Sequence, residues 1–557
     1  MKRTMANTSL NKMIEKSMKV NWDRPALSDY KGVTLHYRDV ARRIEKIHLI
    51  FENCGIQKGD KVALCSKNQA NWGVAFLACT TYGAVPVPIL HEFKSSNISH
   101  LVNHSEAKIL FVGDVIWEGL TQSDMPALEA VILLTDFSLV YSANEKVADA
   151  FEHLNEYFGK KYPKNFSPED ISYYEDSPQE LALINYTSGT SGFSKGVMLP
   201  YRSLLSNVLF AYDAEPQMNN QSQVVSMLPL AHMYGLMFEF LFEMTAGAHV
   251  HFLTRLPTPK VIMEAFQQVK PNVIIAVPMI IEKIYKKKLE PVVEKGSVKM
   301  LLKLPVIDQV IYNKINATLD ETFGGQFEEI ILGGAAFNRE AEAFFKKVGF
   351  RYTVGYGMTE CGPIITYAHW DKAKLYSCGQ VAPRMEVKID SSDPINIPGE
   401  VMVKGDNVFL GYYKNQEATD ECFTEDGWFK TGDLGVFDED GFLYIKGRSK
   451  TMILGPSGQN IYPEEIESEL NNMPYVGESL VIEDGEKLIA LIYPDQDLRD
   501  KERLTKEQLL EKLNEELKEV NKILPNYCKI ASIELSPEEF EKTPKRSIKR
   551  YLYQRKK

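Results

Sequence analysis

The chain has 557 residues, more than one hydrophobic core usually spans, and this length predicts two or more domains. Its net charge of −11 argues against a general nucleic-acid-binding protein, because no overall positive field would attract a polyanion. The seven cysteines form no C-x-x-C pair, which favours a reducing compartment and argues against a disulfide framework or structural zinc.

Neither the N-terminal segment nor the longest apolar stretch has the pattern of a membrane-inserted sequence. Residues 1–17 lack the apolar core of a secretory signal. Residues 224–253 are interrupted by two glutamates and three histidines, which disfavours a membrane span. We therefore expect a cytoplasmic protein.

Helix and strand patterns alternate through the first part of the chain. Helical spacing of apolar residues is found over 39–54 and 71–82, and strand-like runs over 61–65, 85–90, 107–112, 130–134 and 272–277. Alternation of this kind predicts parallel sheets covered by helices, and so an α/β fold.

The pattern changes in the last third of the chain. Residues 390–440 have short strands with many glycines and turn signals, which predicts a β-rich subdomain. After Arg448 the pattern is that of a small α+β unit, whose clearest helix follows a capping box of Thr505 and Gln508. One apolar face of this helix is expected in the core: Leu509, Leu510, Leu513, Leu517, Val520 and Leu524. We predict a large N-terminal domain, residues 1–448, and a small C-terminal domain, residues 449–557.

The segment YTSGTSGFSKG, residues 186–196, is rich in glycine and hydroxyl side chains and lies between strand-like runs at 181–185 and 197–199. Glycines let backbone N–H groups approach a ligand, and such a concavity with hydroxyls and Lys195 suits a phosphate chain. It differs from a P-loop, because Gly196 follows the lysine and a strand follows the loop. A solvated linker has a similar composition, so the phosphate interpretation depends on further motifs.

Three further motifs suit a nucleotide. In GYGMTE, residues 355–360, Tyr356 could lie flat against a base, Thr359 could donate to a phosphate, and Glu360 could bind Mg²⁺. A tight turn with an exposed acid is the alternative. In 330–336, a strand ending in small residues would let a nucleotide approach, although close helix packing explains it equally well.

The third of these motifs is WFKTGD, residues 428–433, followed by Arg448. A buried Asp433 can accept hydrogen bonds from both hydroxyls of a ribose, and an arginine beside it can reach ribose or phosphate. A turn with a surface ion pair is the alternative for these residues alone.

The order of the motifs resembles that of the adenylate-forming superfamily, which comprises acyl-CoA synthetases, peptide-synthetase adenylation domains and luciferases. The motifs are YTSGTSGFSKG, PLAHMYG, GGAA, YGMTE, GEVMVKGDNVFLGYY, TGD and GRSK, and the resemblance extends from about Asp23 to the C-terminus. Residues 276–289, AVPMIIEKIYKKKL, are similar to the long-chain fatty acyl-CoA synthetase branch.

The resemblance implies a two-step reaction in which ATP and a fatty acid give an acyl-adenylate, and the thiol of CoA then displaces AMP. Mg²⁺ would be held by Thr187 and Glu360. The nucleotide would contact the loop, the small residues after the strand, the aromatic motif and the ribose motif: Ser188, Gly189, Thr190, Ser191, Gly192, Lys195, Gly334, Ala335, Tyr356, Gly357, Met358, Thr359, Asp433 and Arg448.

The same resemblance implies roles outside the nucleotide site. His232 would lie near the carboxylate and the acyl tunnel, with Tyr234 and Gly235 shaping the tunnel wall. The small C-terminal domain would be mobile and turn about a hinge at Lys450 between the two half-reactions.

One departure concerns the family's C-terminal motif K-T-x-S-G-K-I-x-R, whose second lysine bridges carboxylate and ATP. This chain reads KTPKRSIKR over 542–550, so Ser547 occupies the position of that lysine. Lys545 or Lys549 could substitute, the chain could be weak in adenylation, or it could bind ligands without turnover. We favour substitution, because the other motifs are intact. A ligase for another carboxylate, or one loading a carrier protein, also remains open.

The basic, aromatic tail KRYLYQRKK begins at Lys549. Such a tail is usually a solvated end. Contact with CoA phosphates or peripheral contact with an anionic membrane are the alternatives.

Overall fold

The computed structural model describes residue 5 and residues 8–555, apart from residues 188–193, 256–257, 294, 305, 455–458, 486 and 544–546 and the side chains of residues 287 and 288.

The first layer of the fold follows from the alternating apolar runs near the N-terminus. Its first elements are α1 (Leu10–Val20), β1 (Pro25–Asp29), β2 (Thr34–His36), α2 (Tyr37–Cys54), β3 (Lys61–Cys65), α3 (Ala70–Tyr82), β4 (Val85–Ile89), α4 (Ser95–Ser105), β5 (Ala107–Val112), α5 (Asp114–Trp117), β6 (Ala130–Leu133), β7 (Leu139–Ser142), α6 (Glu145–Glu152) and α7 (Leu154–Lys161). Strands β4-β3-β5-β6 form a parallel sheet with β7 antiparallel at its edge.

The middle of the chain adds three more sheets. Its elements are β8 (Leu181–Thr187), β9 (Lys195–Pro200), α8 (Tyr201–Ala214), β10 (Gln223–Ser226), α9 (Met233–Leu236), a π-helical turn (Met237–Leu241), α10 (Phe242–Ala246), β11 (His249–Phe252), α11 (Pro259–Val269), β12 (Ile274–Ala276), α12 (Pro278–Ile284), a second π-helical turn (Tyr285–Leu289), α13 (Glu290–Val293), α14 (Gly296–Leu301), α15 (Ile307–Thr322), β13 (Ile330–Leu332), α16 (Arg339–Val348) and β14 (Tyr352–Val354). The sheet β12-β13-β14 is parallel, whereas β8 and β9 form an antiparallel hairpin.

The β-rich part follows as predicted. It contains β15 (Tyr356–Gly357), β16 (Ile364–Tyr367), β17 (Gln380–Val381), β18 (Met385–Asp390), β19 (Gly399–Gly405), β20 (Gly411–Tyr412), α17 (Gln416–Cys422), β21 (Phe429–Phe437) and β22 (Leu443–Arg448). Strands β18-β19-β21-β22 form an antiparallel sheet, and β20 joins the β8–β9 hairpin.

The C-terminal domain has its own hydrophobic core. Its elements are β23 (Ile453–Leu454), β24 (Asn460–Ile461), α18 (Pro463–Leu470), β25 (Val476–Asp484), β26 (Lys487–Pro494), α19 (Gln496–Glu502), α20 (Lys506–Ile523) and β27 (Ile530–Leu535). The predicted capping box of Thr505 and Gln508 starts α20. Of the predicted apolar face, Leu509, Leu513, Leu517 and Val520 are buried, and Leu510 and Leu524 are partly buried against the same core.

The fold class predicted from the sequence, a large α/β and β-rich part followed by a smaller α+β domain, is confirmed. Differences are local. The strand expected over 272–277 is shorter, because Pro278 starts a helix directly after Val277. The strands on either side of the glycine-rich loop are longer than expected, because they pair with each other up to Thr187 and Lys195. Among the described residues, no helix is long and apolar enough to cross a membrane.

The helix α3 shows why a glycine is needed inside the apolar core. Almost all of its residues are buried, and a Cβ on Gly73 would lie 2.8 Å from the Phe240 ring. Close approach of α3 to the helical stretch of residues 233–246 therefore requires a residue without a side chain.

A buried ion pair anchors the C-terminal tail. The Arg550 guanidinium donates to both carboxylate oxygens of Glu467, at 2.8 and 2.7 Å, and to the Val481 carbonyl oxygen at 3.0 Å. Burial raises the pKa of Glu467, and the Arg550 charge opposes that shift. The exposed Arg555 pairs with Asp484 and Glu534 on the same domain. These two tail arginines are thus engaged by acids of their own domain.

Arg550→Met is expected to lower the free energy of unfolding of the C-terminal domain by about 3–5 kcal/mol, because Glu467 would remain buried without its cation. Urea unfolding followed by circular dichroism measures this. Arg555→Met is the matched control and should unfold like wild type, because its ion pairs are exposed to solvent. Equal urea midpoints for the two variants would contradict a stabilising role for the buried pair.

Candidate active site

The carboxyl edge of the parallel sheet β12-β13-β14 carries the small residues expected at a nucleotide site. The Gly333 N–H donates to the Ala276 carbonyl oxygen at 3.2 Å, and the Gly355 N–H donates to that of Leu332 at 2.8 Å, so the loops after the three strands lie side by side. Gly334 has a φ of +83° and is exposed together with Ala335. A flat ligand can therefore approach the backbone at this edge.

Tyr356, at the same edge, reaches across to the β-rich sheet. Its hydroxyl donates to Asp433 Oδ2 at 2.7 Å, and Arg448 Nε lies 3.2 Å from Asp433 Oδ1. Asp433 and Arg448 are direct partners in the antiparallel pairing of β21 and β22. Three residues that the sequence assigned to base and ribose contacts are thus in direct contact with one another.

The environment of Asp433 raises its pKa above the ordinary aspartate value, because the carboxyl group is buried. The Arg448 charge and the Tyr356 hydroxyl act in the opposite direction, since both favour the charged carboxylate. The Arg448 side chain itself is 59% exposed, so it remains available to a ligand.

A second group of contacts lies at the base of the glycine-rich loop. Thr187 and Lys195 face each other across the hairpin, and Thr187 Oγ1 donates to the Lys195 carbonyl oxygen at 3.4 Å. Lys195 Nζ lies 4.6 Å from the centre of the Tyr412 ring, and the Tyr412 hydroxyl donates to Glu360 Oε1 at 3.0 Å. The contacts form a continuous chain from Thr187 to Glu360. Ser188, Gly189, Thr190, Ser191 and Gly192, predicted to contact phosphates, lie outside the described residues.

Glu360 differs from the exposed acid of a simple turn. It lies in a short 3₁₀ turn, Thr359–Cys361, and is only 8% exposed. A buried carboxylate fits a hard cation that is also held by phosphate oxygens. No cluster of three or more histidine, cysteine or acidic side chains that could bind a metal is found in the described part of the chain. A magnesium ion here would therefore depend on Glu360, Thr187 and ligand oxygens.

His232 stands at the start of the helical stretch 233–246, where it is the N-cap residue. The loop before it, residues 226–231, is held by three buried or half-buried side chains. Glu239 Oε2 accepts from Ser226 Oγ and from the N–H groups of Met227 and Leu228, at 3.0–3.1 Å; Asn68 Nδ2 donates to the Leu228 carbonyl oxygen at 2.6 Å, and Asn185 Nδ2 to that of Ala231 at 2.9 Å. Two residues after Asn185, β8 ends at Thr187.

Tyr234 and Gly235 tie the same helix to its surroundings. The Tyr234 hydroxyl donates to the Ile331 carbonyl oxygen at 2.9 Å, and a Cβ on Gly333 would lie 3.1 Å from the Tyr234 ring. A Cβ on Gly235 would approach the Pro229 carbonyl oxygen to 3.0 Å. Close packing therefore requires glycine at positions 333 and 235, independently of the substrate that lies beside them.

Comparison with known families agrees with this geometry. Residues 14–413 match the AMP-binding enzyme family, and residues 450–556 match the AMP-binding enzyme C-terminal domain. The chain belongs to the AMP-binding enzyme family. The resemblance to the adenylate-forming superfamily is confirmed, and the enzyme is an acid–thiol ligase.

Two curated relatives cover most of this AMP-binding enzyme. Long-chain-fatty-acid–CoA ligase FadD15 of Mycobacterium bovis is 28% identical over 82% of this chain and 76% of its own. The long-chain-fatty-acid–CoA ligase of Escherichia coli is 29% identical over 84% of this chain and 82% of its own.

Solved structures are similar in fold. ATP-bound MatB from Rhodopseudomonas palustris superposes with a TM-score of 0.75 at 23% identity, covering 98% of both chains. O-succinylbenzoate coenzyme A synthetase from Bacillus subtilis, in complex with AMP, gives 0.73 at 20% identity, covering 97% of both chains.

The two ends of the C-terminal motif of this AMP-binding enzyme pair with each other. Lys542 pairs with Ile548, and the Thr543 N–H donates to the Ser547 carbonyl oxygen at 2.8 Å. Lys549 Nζ forms an ion pair with Glu541. Lys545, the other predicted substitute for the missing lysine, lies outside the described residues.

The predicted hinge at Lys450 follows directly on the Asp433–Arg448 pair. Lys450 is exposed and lies in a turn closed by the Thr451 N–H, which donates to the Arg448 carbonyl oxygen at 3.1 Å.

Sequence reasoning missed two residues of the site. Tyr412 lies within the quoted motif GEVMVKGDNVFLGYY, but its contacts with Lys195 and Glu360 come only from the pairing of β20 with β9. Glu239 was noted only as an interruption of an apolar stretch. A fully buried glutamate in an apolar helix should itself have indicated a specific hydrogen-bonding role.

Glu239→Met is expected to speed amide hydrogen exchange at Met227 and Leu228 and to destabilise the protein by about 1–3 kcal/mol, because buried donors lose their acceptor. Glu239→Gln keeps an acceptor oxygen and should preserve the protection of these amides.

The matched control is Glu243→Met, one turn further along the helix. Glu243 is equally buried, and neither of its carboxylate oxygens has a hydrogen-bond partner in the described part of the chain. Its replacement should leave both amides protected and the stability equal or higher. Identical exchange at the two amides in the Glu239→Met and Glu243→Met variants would contradict the role given to Glu239.

Proposed function

We propose that the enzyme activates a fatty acid with ATP to an acyl-adenylate and then transfers the acyl group to the thiol of CoA. The observation that carries the proposal is the contact of Tyr356 with Asp433, which is paired with Arg448; Tyr356 lies four residues before Glu360 along the chain. Two contact networks, one suited to a nucleoside and one to phosphates, thus start from the same short segment.

In the proposed complex the adenine lies on Tyr356 beside Gly334 and Ala335, with Gly357 and Met358 along its edge. The Asp433 carboxylate accepts hydrogen bonds from the ribose hydroxyls, and Arg448 donates to the ribose. The hydroxyl of Tyr356 holds Asp433 in place while its ring contacts the base. Fixing the nucleoside in this way aligns the α-phosphate for in-line attack.

The phosphates would lie against Lys195, Thr187 and Thr359. Thr187 and Glu360 are the residues that would hold Mg²⁺, which neutralises phosphate charge when bound. Lys195 donates from its ammonium group to a phosphate oxygen, and the Tyr412 ring under it limits its freedom. His232, at the N-terminus of its helix, would face the carboxylate.

The second half-reaction would require rotation of residues 449–557 about Lys450. Contacts now made between the domains include Lys286 Nζ with the Asn471 carbonyl oxygen at 2.6 Å and Lys446 Nζ with Glu465 at 3.4 Å. Both of these contacts are polar, as expected of an interface that opens in each cycle.

Ser547 cannot supply the charge of the lysine found in the family motif. Lys549 is two residues away, and its ion pair with Glu541 is exposed to solvent, so exchanging that partner for a ligand carboxylate or phosphate costs little. This supports Lys549 as the substitute, with Lys545 as the other candidate.

The fatty-acid substrate is supported by the names of the curated relatives. The structural neighbours include an anthranilate CoA ligase and an O-succinylbenzoate coenzyme A synthetase, so the scaffold accepts other acids. Another carboxylate, a carrier protein as acceptor, or binding without turnover are the remaining candidates. Binding without turnover is favoured only by Ser547.

Pyrophosphate release should require ATP, Mg²⁺ and a fatty acid, and be greatest with long chains. A screen across chain lengths, with and without CoA, measures this. Binding of ATP and fatty acid without pyrophosphate release would favour the non-turnover alternative, and release only with aromatic or short acids would contradict the fatty-acid assignment.

Lys549→Ala or Lys545→Ala is expected to lower the rate of pyrophosphate release about 100-fold, because a charge next to the reacting carboxylate and phosphate is lost. Ser547→Lys should raise the rate above wild type. The matched control is Lys542→Ala in the same motif, whose ammonium pairs with Glu478 and Glu539, and this variant should keep the wild-type rate. Unchanged rates in both alanine variants would contradict substitution by a neighbouring lysine.

The affinity for ATP should fall as pH decreases through the pKa of Asp433, which burial places above the ordinary aspartate value. The charged carboxylate accepts two ribose hydroxyls, whereas the protonated group has less capacity to accept. Tyr356→Phe removes a donor that lowers this pKa, so the loss should begin at higher pH. Binding of a fluorescent ATP analogue as a function of pH measures the loss of affinity in wild type and in the Tyr356→Phe variant.

The control for this experiment is Tyr444→Phe on β22, which removes a hydroxyl that donates to Asp438, directly after β21, at 3.3 Å. Its pH profile should follow wild type. A Tyr356→Phe profile with the wild-type midpoint would show that the Tyr356 hydroxyl does not influence Asp433.

A further inference from the structure

Exposed apolar side chains are concentrated in one short segment, residues 292–310. Of 21 large apolar or tyrosine side chains exposed in the described part of the chain, seven lie within these 19 residues: Val292, Met300, Leu301, Leu304, Val306, Ile307 and Val310. Val306 is 76% and Met300 67% exposed. Single exposed apolar residues are normal, but a local cluster indicates an interaction surface.

The middle of the same segment is positively charged, unlike the chain as a whole, and its two acidic residues, Glu294 and Asp308, lie towards its ends. Lys295, Lys299 and Lys303 recur at every fourth position and are exposed, and no acidic residue occurs from 295 to 307. The complete chain has a net charge of −11. Apolar side chains interleaved with lysines are typical of protein surfaces that lie at a lipid–water interface.

A helical path connects this segment with the candidate active site. The helix α12 begins directly after Val277, whose side chain lies 3.9 Å from the position of a Cβ on Gly334. The Asn338 N–H donates to Glu282 on this helix at 2.9 Å. Helical residues continue to Val293, about 24 Å further at 1.5 Å per residue, where the exposed segment begins.

We propose that residues 292–310 bind the surface of a membrane rich in anionic lipid. The lysines meet the lipid headgroups, and the apolar side chains between them enter the headgroup boundary. An enzyme held in this way would take its amphiphilic substrate from the bilayer; that consequence rests on the proposed function, whereas membrane binding does not.

The charge pattern favours a membrane over a second copy of this chain. In a two-fold symmetric dimer the same patch of both copies meets, so Lys295, Lys299 and Lys303 would bring six lysines into one interface. Repulsion between like charges opposes such an interface. An anionic bilayer supplies an apolar environment for the exposed side chains and a charge opposite to that of the lysines.

Vesicle co-sedimentation with the full chain tests the proposal. Wild type should bind vesicles of phosphatidylglycerol and phosphatidylcholine, and bind less at high salt and to phosphatidylcholine alone. Replacement of Lys295, Lys299 and Lys303 by glutamine should weaken binding about fivefold per lysine. The triple variant Met300→Ser, Leu304→Ser and Val306→Ser should weaken it at least about tenfold.

Two controls locate the surface. Ile395→Ser with Ile397→Ser removes exposed apolar side chains elsewhere and should bind vesicles like wild type. Tyr551→Ser with Leu552→Ser changes the basic tail. Loss of binding in the tail variant with normal binding in the segment variants would overturn the proposal, as would absence of wild-type binding.

Further measurements separate the alternatives. Light scattering that finds a dimer disrupted by the segment substitutions would assign this surface to a second copy and overturn the proposal. Pyrophosphate release with a soluble short-chain fatty acid should be unaffected by the substitutions. If turnover persists and vesicle binding fails, the membrane surface alone is wrong. If vesicle binding holds without turnover, the proposed reaction is wrong.

Discussion

The hydrogen bond from the Tyr356 hydroxyl to Asp433 joins the two halves of the candidate site. Tyr356 extends from the carboxyl edge of a parallel sheet, whereas Asp433 belongs to an antiparallel sheet. The bond fixes the position of one sheet relative to the other at the point where a base and a ribose would be adjacent. The carboxyl group of Asp433 is buried, so it needs the donors that Tyr356 and Arg448 provide. The chain leaves this sheet at Arg448, so the predicted hinge begins where the site ends.

Behind the site, buried polar side chains hold irregular backbone in place. Glu239, Asn68 and Asn185 accept from or donate to the loop that leads to His232. Glu239 comes from the helical stretch 233–246, Asn185 from β8 and Asn68 from the loop before α3, so three separate parts of the chain hold the loop. A loop held in this way keeps its geometry before a ligand arrives, which lowers the cost of ordering the site during binding.

The sequence predicted the parts of the fold that depend on local pattern. Buried strands such as Ala107–Val112 and the cap of the helix after Thr505 follow from residue spacing, and the order of the motifs identified the family. The resemblance implied that Tyr356 and Asp433 contact the same nucleotide, but their direct hydrogen bond could not be predicted, because residue spacing carries no information about which sheets meet. The contact of Glu360 with Tyr412, 52 residues away, could not be predicted for the same reason. The exposure of residues 292–310 could not be predicted from the sequence either, because apolar residues at helical spacing usually indicate a buried face.

The central claim is that the carboxylate attacks the α-phosphate of ATP and that the thiol then attacks the acyl carbonyl. A fatty acid labelled with oxygen-18 in both carboxylate oxygens tests it directly when the products are analysed by mass spectrometry. One labelled oxygen should appear in AMP and one in the thioester, with none in pyrophosphate. Unlabelled AMP, or label in inorganic phosphate together with ADP, would contradict the account.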